Sequence, residues 1–456
     1  MDNRAAMSNE VPAITLLIAE FVYATEWVDL PEEVRHQAKR ALVNYFAVAL
    51  AGCRDPDIET AFKLLSALNP GGQGGLVGRS ESAGMLDAAA LNAMSANVYD
   101  FDDTHIPTII HPTGPVASAL FALAEQTTIS GEQLLLSLAL GMEIECRLGN
   151  ALHPWHYQRG WHITSTCGVF GAAVGVGKAI GLDVYQLGWA IGNASAQASG
   201  LVETLGSAAK SLSVGNAPKN GLLSALLAQK GFAGPAYPLE GERGFLKVMG
   251  DSPRLGELLS GLGSSWAMLA NTYKPYPCGV VLNPVIEACI ALHVDNSWSY
   301  QQVSRVELIG NPLLRERTDR AHIKLGRESQ VSAQHAVAVT LATGKAGLDQ
   351  FSDAAVADPA LRAKYPLIHF NDDPACSVES VTVRVFLDTG RCLERRIAYA
   401  KGGLNAPLSD VELVEKLTIL AARSGSAINI KALVELIWSL DMIEDAGTVM
   451  ALATER

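Results

Sequence analysis

The sequence predicts a mainly α protein: a large all-helical domain formed by both chain ends, plus a smaller inserted α+β domain. Three observations predict it. Residues 11 to about 265 carry one helix signal after another, with no useful run of period-two alternation. After Ser264 the texture changes, and residues 304–309 and 380–386 alternate polar with apolar. From Ser409 the helical pattern returns. The expected division is 1–268 together with 404–456 for the helical domain and 269–403 for the α+β domain.

Each element has a local cause. Pro31 suits a first helical position, Glu32 and Glu33 favour the positive helix N-terminus, and Gly52 is a stop. Ser130 and Gln133 have the spacing of a capping box opening a helix through Gly141 and Cys146, and Asp183 and Gln186 repeat it. Residues 167–179 are built from Gly, Ala and Val, which predicts a helix packed too closely for large side chains. In the second domain, residues 380–386, the turn at Asp388 to Gly390 and residues 392–400 read as a strand, a tight turn and a return strand. Helical segments at 284–293 and 332–342 interrupt the strands.

The bulk numbers exclude whole classes of function. With 35 basic and 47 acidic residues the formal charge is −12, which argues against nucleic acid, because phosphate neutralisation needs a basic stripe. Apolar residues make up 49% and charged residues 18%, so much of the chain is buried, and a homodimer interface is expected. The start carries Asp2, Arg4 and Glu10, with no basic-then-apolar leader pattern. Apolar runs such as 168–180 are too short or too broken to span a bilayer, so no membrane partner is expected. Seven scattered cysteines without a CxxC pair fit a cytoplasmic location and no structural zinc.

Familiar motifs fail. Gly175 and Gly177 resemble a dinucleotide loop, but Ile180 stands where the third glycine belongs and no strand precedes it. Lys178 lacks the Ser or Thr that follows a P-loop lysine. His153 and His156 have a metal-like spacing, yet Pro154 breaks the helix that would align them, so a structural role is expected.

Four segments combine reactive groups with a glycine- or proline-shaped backbone. The first, 100–115, gathers Asp100, Asp102, Asp103, Thr104, His105 and His111. The second, 159–168, holds His162 beside Gly160. The third, 209–221, holds Lys210, and the fourth, 273–279, holds Lys274, Tyr276, Cys278 and Gly279. In this order and at these separations they resemble the MmgE/PrpD family, which includes 2-methylcitrate dehydratases, cis-aconitate decarboxylases and iminodisuccinate epimerase. The resemblance covers nearly the whole chain, including 221–235, 332–339, 347–351 and the tail at Pro407, Leu408 and Ser409.

That resemblance implies a homodimer with its active site in the cleft between the domains, working without metal or organic cofactor. It assigns Asp100, Thr104 and His111 to the first active-site loop, His162 to the second, and Lys210 and Lys274 to the two family lysines. Two positions depart. Decarboxylase-type members carry histidine where Gly279 stands and tyrosine where His335 stands.

The chemistry expected of these residues is proton transfer on a carbon next to a carboxylate of a small di- or tricarboxylate. Lys210 and Lys274 would clamp carboxylates and stabilise the developing charge. His162 is the first choice as base, His111 the group that returns the proton, and Asp100 its orienting partner. Thr104, Tyr276 and His335 are candidate substrate contacts, although His335 also fits core packing in its apolar run. Asp102 and Asp103 read as partners for backbone amides, and Cys278 as a small buried cysteine rather than a nucleophile. Gly279 and His335 tilt the expectation toward an epimerase of the iminodisuccinate kind. A dehydratase of the 2-methylcitrate kind and a non-catalytic polycarboxylate-binding protein stay open.

Overall fold

The computed structural model describes residues 13–294 and 298–455, so the reading of Asp2, Arg4 and Glu10 falls outside it. The chain is mainly helical. Its first helices are α1 (Ile14–Ala24), α2 (Glu32–Gly52), α3 (Pro56–Leu68), α4 (Met85–Asn97), α5 (Thr113–Ala124), α6 (Gly131–Leu152), α7 (Trp155–Gln158), α8 (Ile163–Ala179), α9 (Val184–Ser195) and α10 (Ala208–Gln229).

Local signals place most boundaries. Pro31 sits just outside α2, at its cap, and Glu32 and Glu33 fill the first turn. Gly52 ends α2 where an added Cβ would come 2.0 Å from the Ser95 carbonyl oxygen, so glycine serves close approach to α4. Ser130 Oγ accepts from the Gln133 amide at 3.1 Å, but the Gln133 side chain turns away to the Lys178 carbonyl, leaving that capping box half made. At Asp183 and Gln186 both halves form.

α8 is buried along its whole length. An added Cβ on Gly141 of α6 would lie 2.6 Å from the Gly171 oxygen, and one on Gly221 of α10 would lie 2.7 Å from the Val169 oxygen. The small residues of α8 therefore let two neighbouring helices cross it almost backbone to backbone, gaining dispersion contacts that larger side chains would hold apart.

Apolar residues from Ile14 to Tyr273, with Leu348 and residues from Leu408 to Ala453, form one core; residues from Cys278 to Ala400 form a second. The second lies under a four-stranded sheet. Strand Val303–Gly310 pairs parallel with Ile368–Asp372 and antiparallel with Val381–Leu387, which pairs in turn with Cys392–Ile397. Helices Asn283–Val294 and Ala333–Thr343 pack in this region. Strand Ile368–Asp372 is not legible in the sequence, because only its first residue is buried and no alternation results.

The helical part is not wholly helical. Asp103–His105 pairs antiparallel with Asn271–Tyr273, and Gly74–Gly75 with Ser82–Ala83. Among the described residues no helix is long and apolar enough to cross a membrane, and all seven cysteines are free.

Candidate active site

The short ladder between Asp103–His105 and Asn271–Tyr273 joins the first and fourth segments. It brings Lys274 beside Asp100. Lys274 Nζ lies 3.2 Å from Asp100 Oδ2 and donates to the Asp100 carbonyl at 2.9 Å. From the third segment, near the start of α10, Lys210 Nζ donates to Asp100 Oδ1 at 2.5 Å. Asp100 is held at φ +50, and Ile109 in the same loop at φ +60. Such backbone persists only where the surroundings over-determine it, and the two ammonium contacts do so at Asp100.

Burial alone would raise the Asp100 pKa, but Lys210, Lys274 and His111 outweigh it and hold the carboxyl far below its usual range. Burial opposes the charge on Lys210, yet the Asp100 carboxylate more than offsets this and raises its pKa. The lysines are thus buried ion-pair partners of Asp100.

His111 is held from three sides. Its backbone N–H donates to Thr164 Oγ1 at 3.0 Å, tying the first segment to the second. Its Nδ1 lies 2.5 Å from the Asp103 carbonyl, which can only accept, so Nδ1 carries a proton. Thr104 Oγ1 stands 3.4 Å from the same nitrogen, and Nε2 faces Asp100 Oδ1 at 3.9 Å. Burial lowers the His111 pKa, with Asp102 opposing and both lysines assisting. Asp103 accepts from the Thr113 amide at 3.1 Å and the Asn271 side chain at 2.7 Å, as a structural partner of backbone. Burial pushes its pKa to about 6.

His162 caps α8. Its amide donates to the Gly200 carbonyl at 3.0 Å and its Nδ1 lies 2.8 Å from Ser165 Oγ. Nε2 has no hydrogen-bond partner among the described residues. Burial, then Lys210 and His111, holds the His162 pKa well below 6.5, so the ring is neutral at physiological pH. Gly160 gives it no extra room, since an added Cβ there meets nothing; glycine serves the φ of +99.

Asp100, Thr104, His111, His162, Lys210 and Lys274 line one cavity of about 260 Å³ between the helical part and the sheet-bearing part, the size of a small metabolite. Gly279, Gln330 and three arginines, Arg317, Arg320 and Arg327, line its other side. Sequence reasoning missed these arginines. The available signal was the density of cations across 315–327 in an acidic chain. Arg327 is already committed to Asp55 at 2.6 Å and Asp57 at 2.8 Å. Arg317 lies over the Tyr157 ring, and neither it nor Arg320 has a carboxylate partner among the described residues. Glu316 adds one acid to the lining.

Two expected contacts lie elsewhere. Tyr276 is half-buried against the second core and does not line the cavity. His335 is fully buried, with Nδ1 2.7 Å from the Tyr365 hydroxyl and Nε2 2.7 Å from the Gln350 carbonyl, so both nitrogens are satisfied within the core. His156 is likewise structural, bonded to the Met249 carbonyl and Thr166. Cys278 is buried with its thiol pKa pushed up, as an inert cysteine is. One atom each of Asp100, Asp102 and His111 falls within 4.8 Å of the others, a spacing a cation could use. Two ammonium groups already supply positive charge there.

Residues 17–257 match the MmgE/PrpD N-terminal domain and residues 276–441 the MmgE/PrpD C-terminal domain. The chain is 26% identical to a cis-aconitate decarboxylase of Aspergillus terreus, over 99% of this chain and 98% of that protein. It is 26% identical to the cis-aconitate decarboxylase of Homo sapiens, over 80% of this chain and 78% of that protein. These relatives are lyases by name, and the epimerase expectation drawn from Gly279 and His335 finds no support in them. His335 in particular carried no weight, since it lies outside the cavity. The two domain matches together span most of the sequence, and the chain belongs to the MmgE/PrpD family.

Proposed function

We propose that this chain is a cofactor-independent lyase that eliminates water from a small di- or tricarboxylate, as a dehydratase of the 2-methylcitrate type does. The observation that carries this reading is a neutral His162, unpartnered at Nε2, facing a cationic wall in one metabolite-sized cavity. Its Nε2 takes a proton from the carbon next to a carboxylate. The electron pair left behind forms the carbon–carbon double bond as the β-hydroxyl departs. An ammonium of the Asp100 cluster protonates that hydroxyl, so it leaves as water. His111 does not suit the acid role given to it from sequence, because its Nδ1 proton is committed to the Asp103 carbonyl and its pKa is lowered.

Arg317 and Arg320 hold the substrate carboxylates. The lysines share Asp100, and Lys274 also lies 3.8 Å from Asp102, so little of their charge is free. The low share of charged residues favours a homodimer.

A second reading is decarboxylation of a cis-aconitate-like substrate, favoured by the end-to-end similarity to cis-aconitate decarboxylases. Gly279 favours elimination of water. An added Cβ there would meet nothing closer than 3.8 Å, so the cavity wall is open where decarboxylase-type members carry histidine.

Incubation with 2-methylcitrate, citrate and cis-aconitate tests this. A new alkene with loss of the hydroxyl supports the dehydratase. Carbon dioxide released from cis-aconitate establishes the second reading. Binding without turnover makes the chain a polycarboxylate-binding protein.

A further inference from the structure

Behind His162 a line of hydrogen bonds leads away from the cavity. His162 Nδ1 lies 2.8 Å from Ser165 Oγ, Ser165 Oγ lies 2.9 Å from Ser213 Oγ, and Ser213 Oγ donates to the Lys210 carbonyl at 2.8 Å. Each hydroxyl has one proton to give, and a carbonyl can only accept. The last link therefore fixes the first. Ser213 spends its proton on Lys210, so it accepts from Ser165. Ser165 spends its proton on Ser213, so it accepts from His162. The arrangement that fills every link puts a proton on Nδ1 and leaves a bare lone pair on Nε2.

We propose that Ser165 and Ser213 are positioning residues that lock His162 in its Nδ1-protonated tautomer, so that Nε2 is the proton acceptor in the cavity. This deepens the reading of His162 as the base and rests on it. The bond from Ser213 to Lys210 is the ordinary one a helical serine makes to the carbonyl three residues back. That local bond sets the direction of the whole line. Ser165 is buried, and Ser213 is half-buried and outside the cavity lining. Gly200 passes close to Ser165: at φ +132, an added Cβ would stand 2.6 Å from Ser165 Cβ and 3.1 Å from its Oγ, so a larger residue there would displace the serine. A histidine whose tautomer is fixed by the bond at one nitrogen offers the other for chemistry.

The tautomer is read directly by nitrogen NMR of protein labelled with 15N-histidine, with His162 assigned by comparison with His162→Gln. The wild type is expected to show the proton on Nδ1 near neutral pH. Ser165→Ala removes the acceptor. Ser213→Ala frees the Ser165 proton to turn toward Nδ1. Both variants are expected to shift the ring toward the Nε2-protonated form and to lower kcat about 10–100-fold, the range seen when a metal-ligating histidine loses its outer partner, with little change in KM. The half-buried Ser213→Ala keeps the test open if Ser165→Ala folds poorly. A wild-type ring protonated on Nε2, or a tautomer that neither variant moves, overturns the proposal. The spectrum needs no substrate, so a chain that turned over no carboxylate would defeat the lyase reading while leaving this test intact.

Discussion

Lys210 Nζ lies 2.5 Å from Asp100 Oδ1, an ion pair made across 110 positions of sequence. With Lys274 on the other carboxylate oxygen, it places two buried ammonium groups on one aspartate. Burying an unpaired charge costs several kcal/mol, so this aspartate is what allows either lysine to sit at the cavity wall.

Asp100→Asn removes the counter-charge and leaves two ammonium groups to repel each other. A loss of about 3–5 kcal/mol of stability is expected, the usual cost of breaking a buried pair, together with loss of turnover. Chemical denaturation of the variant checks it. An unchanged transition midpoint would mean the lysines are paired elsewhere.

Arg317→Gln with Arg320→Gln tests where the substrate carboxylates are held. KM for a polycarboxylate is expected to rise about tenfold or more, in line with about 1.5–3 kcal/mol for a hydrogen bond to a charged group. The fold should persist, since neither guanidinium has a carboxylate partner among the described residues. Steady-state kinetics at low and moderate salt reads the effect. Equal KM values would return the clamp to the lysines.

The pH profile follows from His162. It must be neutral to accept a proton, and burial with Lys210 and His111 holds its pKa well below 6.5. The accepting form therefore survives as pH falls through 6.5, and the acid limb of kcat/KM is expected below that value. A limb at or above 6.5 would place the base in a more solvated position.

His335→Ala should behave as a core mutation. The Tyr365 hydroxyl and the Gln350 carbonyl each lose a buried partner, and about 1–3 kcal/mol of stability is expected to go with them. KM should not move. A large KM effect with normal stability would restore His335 as a substrate contact.

The sequence carried the fold class and the loops because those depend on local pattern. Period-two alternation marks Val381–Leu387, and the density of acids and imidazoles marks the loop around Asp100 and His111. It did not carry the ladder between Asp103–His105 and Asn271–Tyr273, since three residues are too few for a period to register. Nor did it separate His162 from His335. Both stand at the start of an apolar helix, and only the partners of each nitrogen tell a ring with a free nitrogen from a core histidine. Arg317 and Arg320 escaped because alternating charges along a short helix and the turn after it look like a solvated face, and only the cavity shows what they line.

The proposed elimination requires His162 to move the proton next to a carboxylate. Proton NMR in deuterium oxide, with 2-methylcitrate, citrate and cis-aconitate given to the wild type and to His162→Gln, tests it most directly. Alkene signals that change with the wild type are expected, with deuterium appearing at the carbon next to the carboxylate, and a loss of both by about 10²–10⁴-fold in the folded variant. Undiminished deuterium exchange in His162→Gln would contradict it.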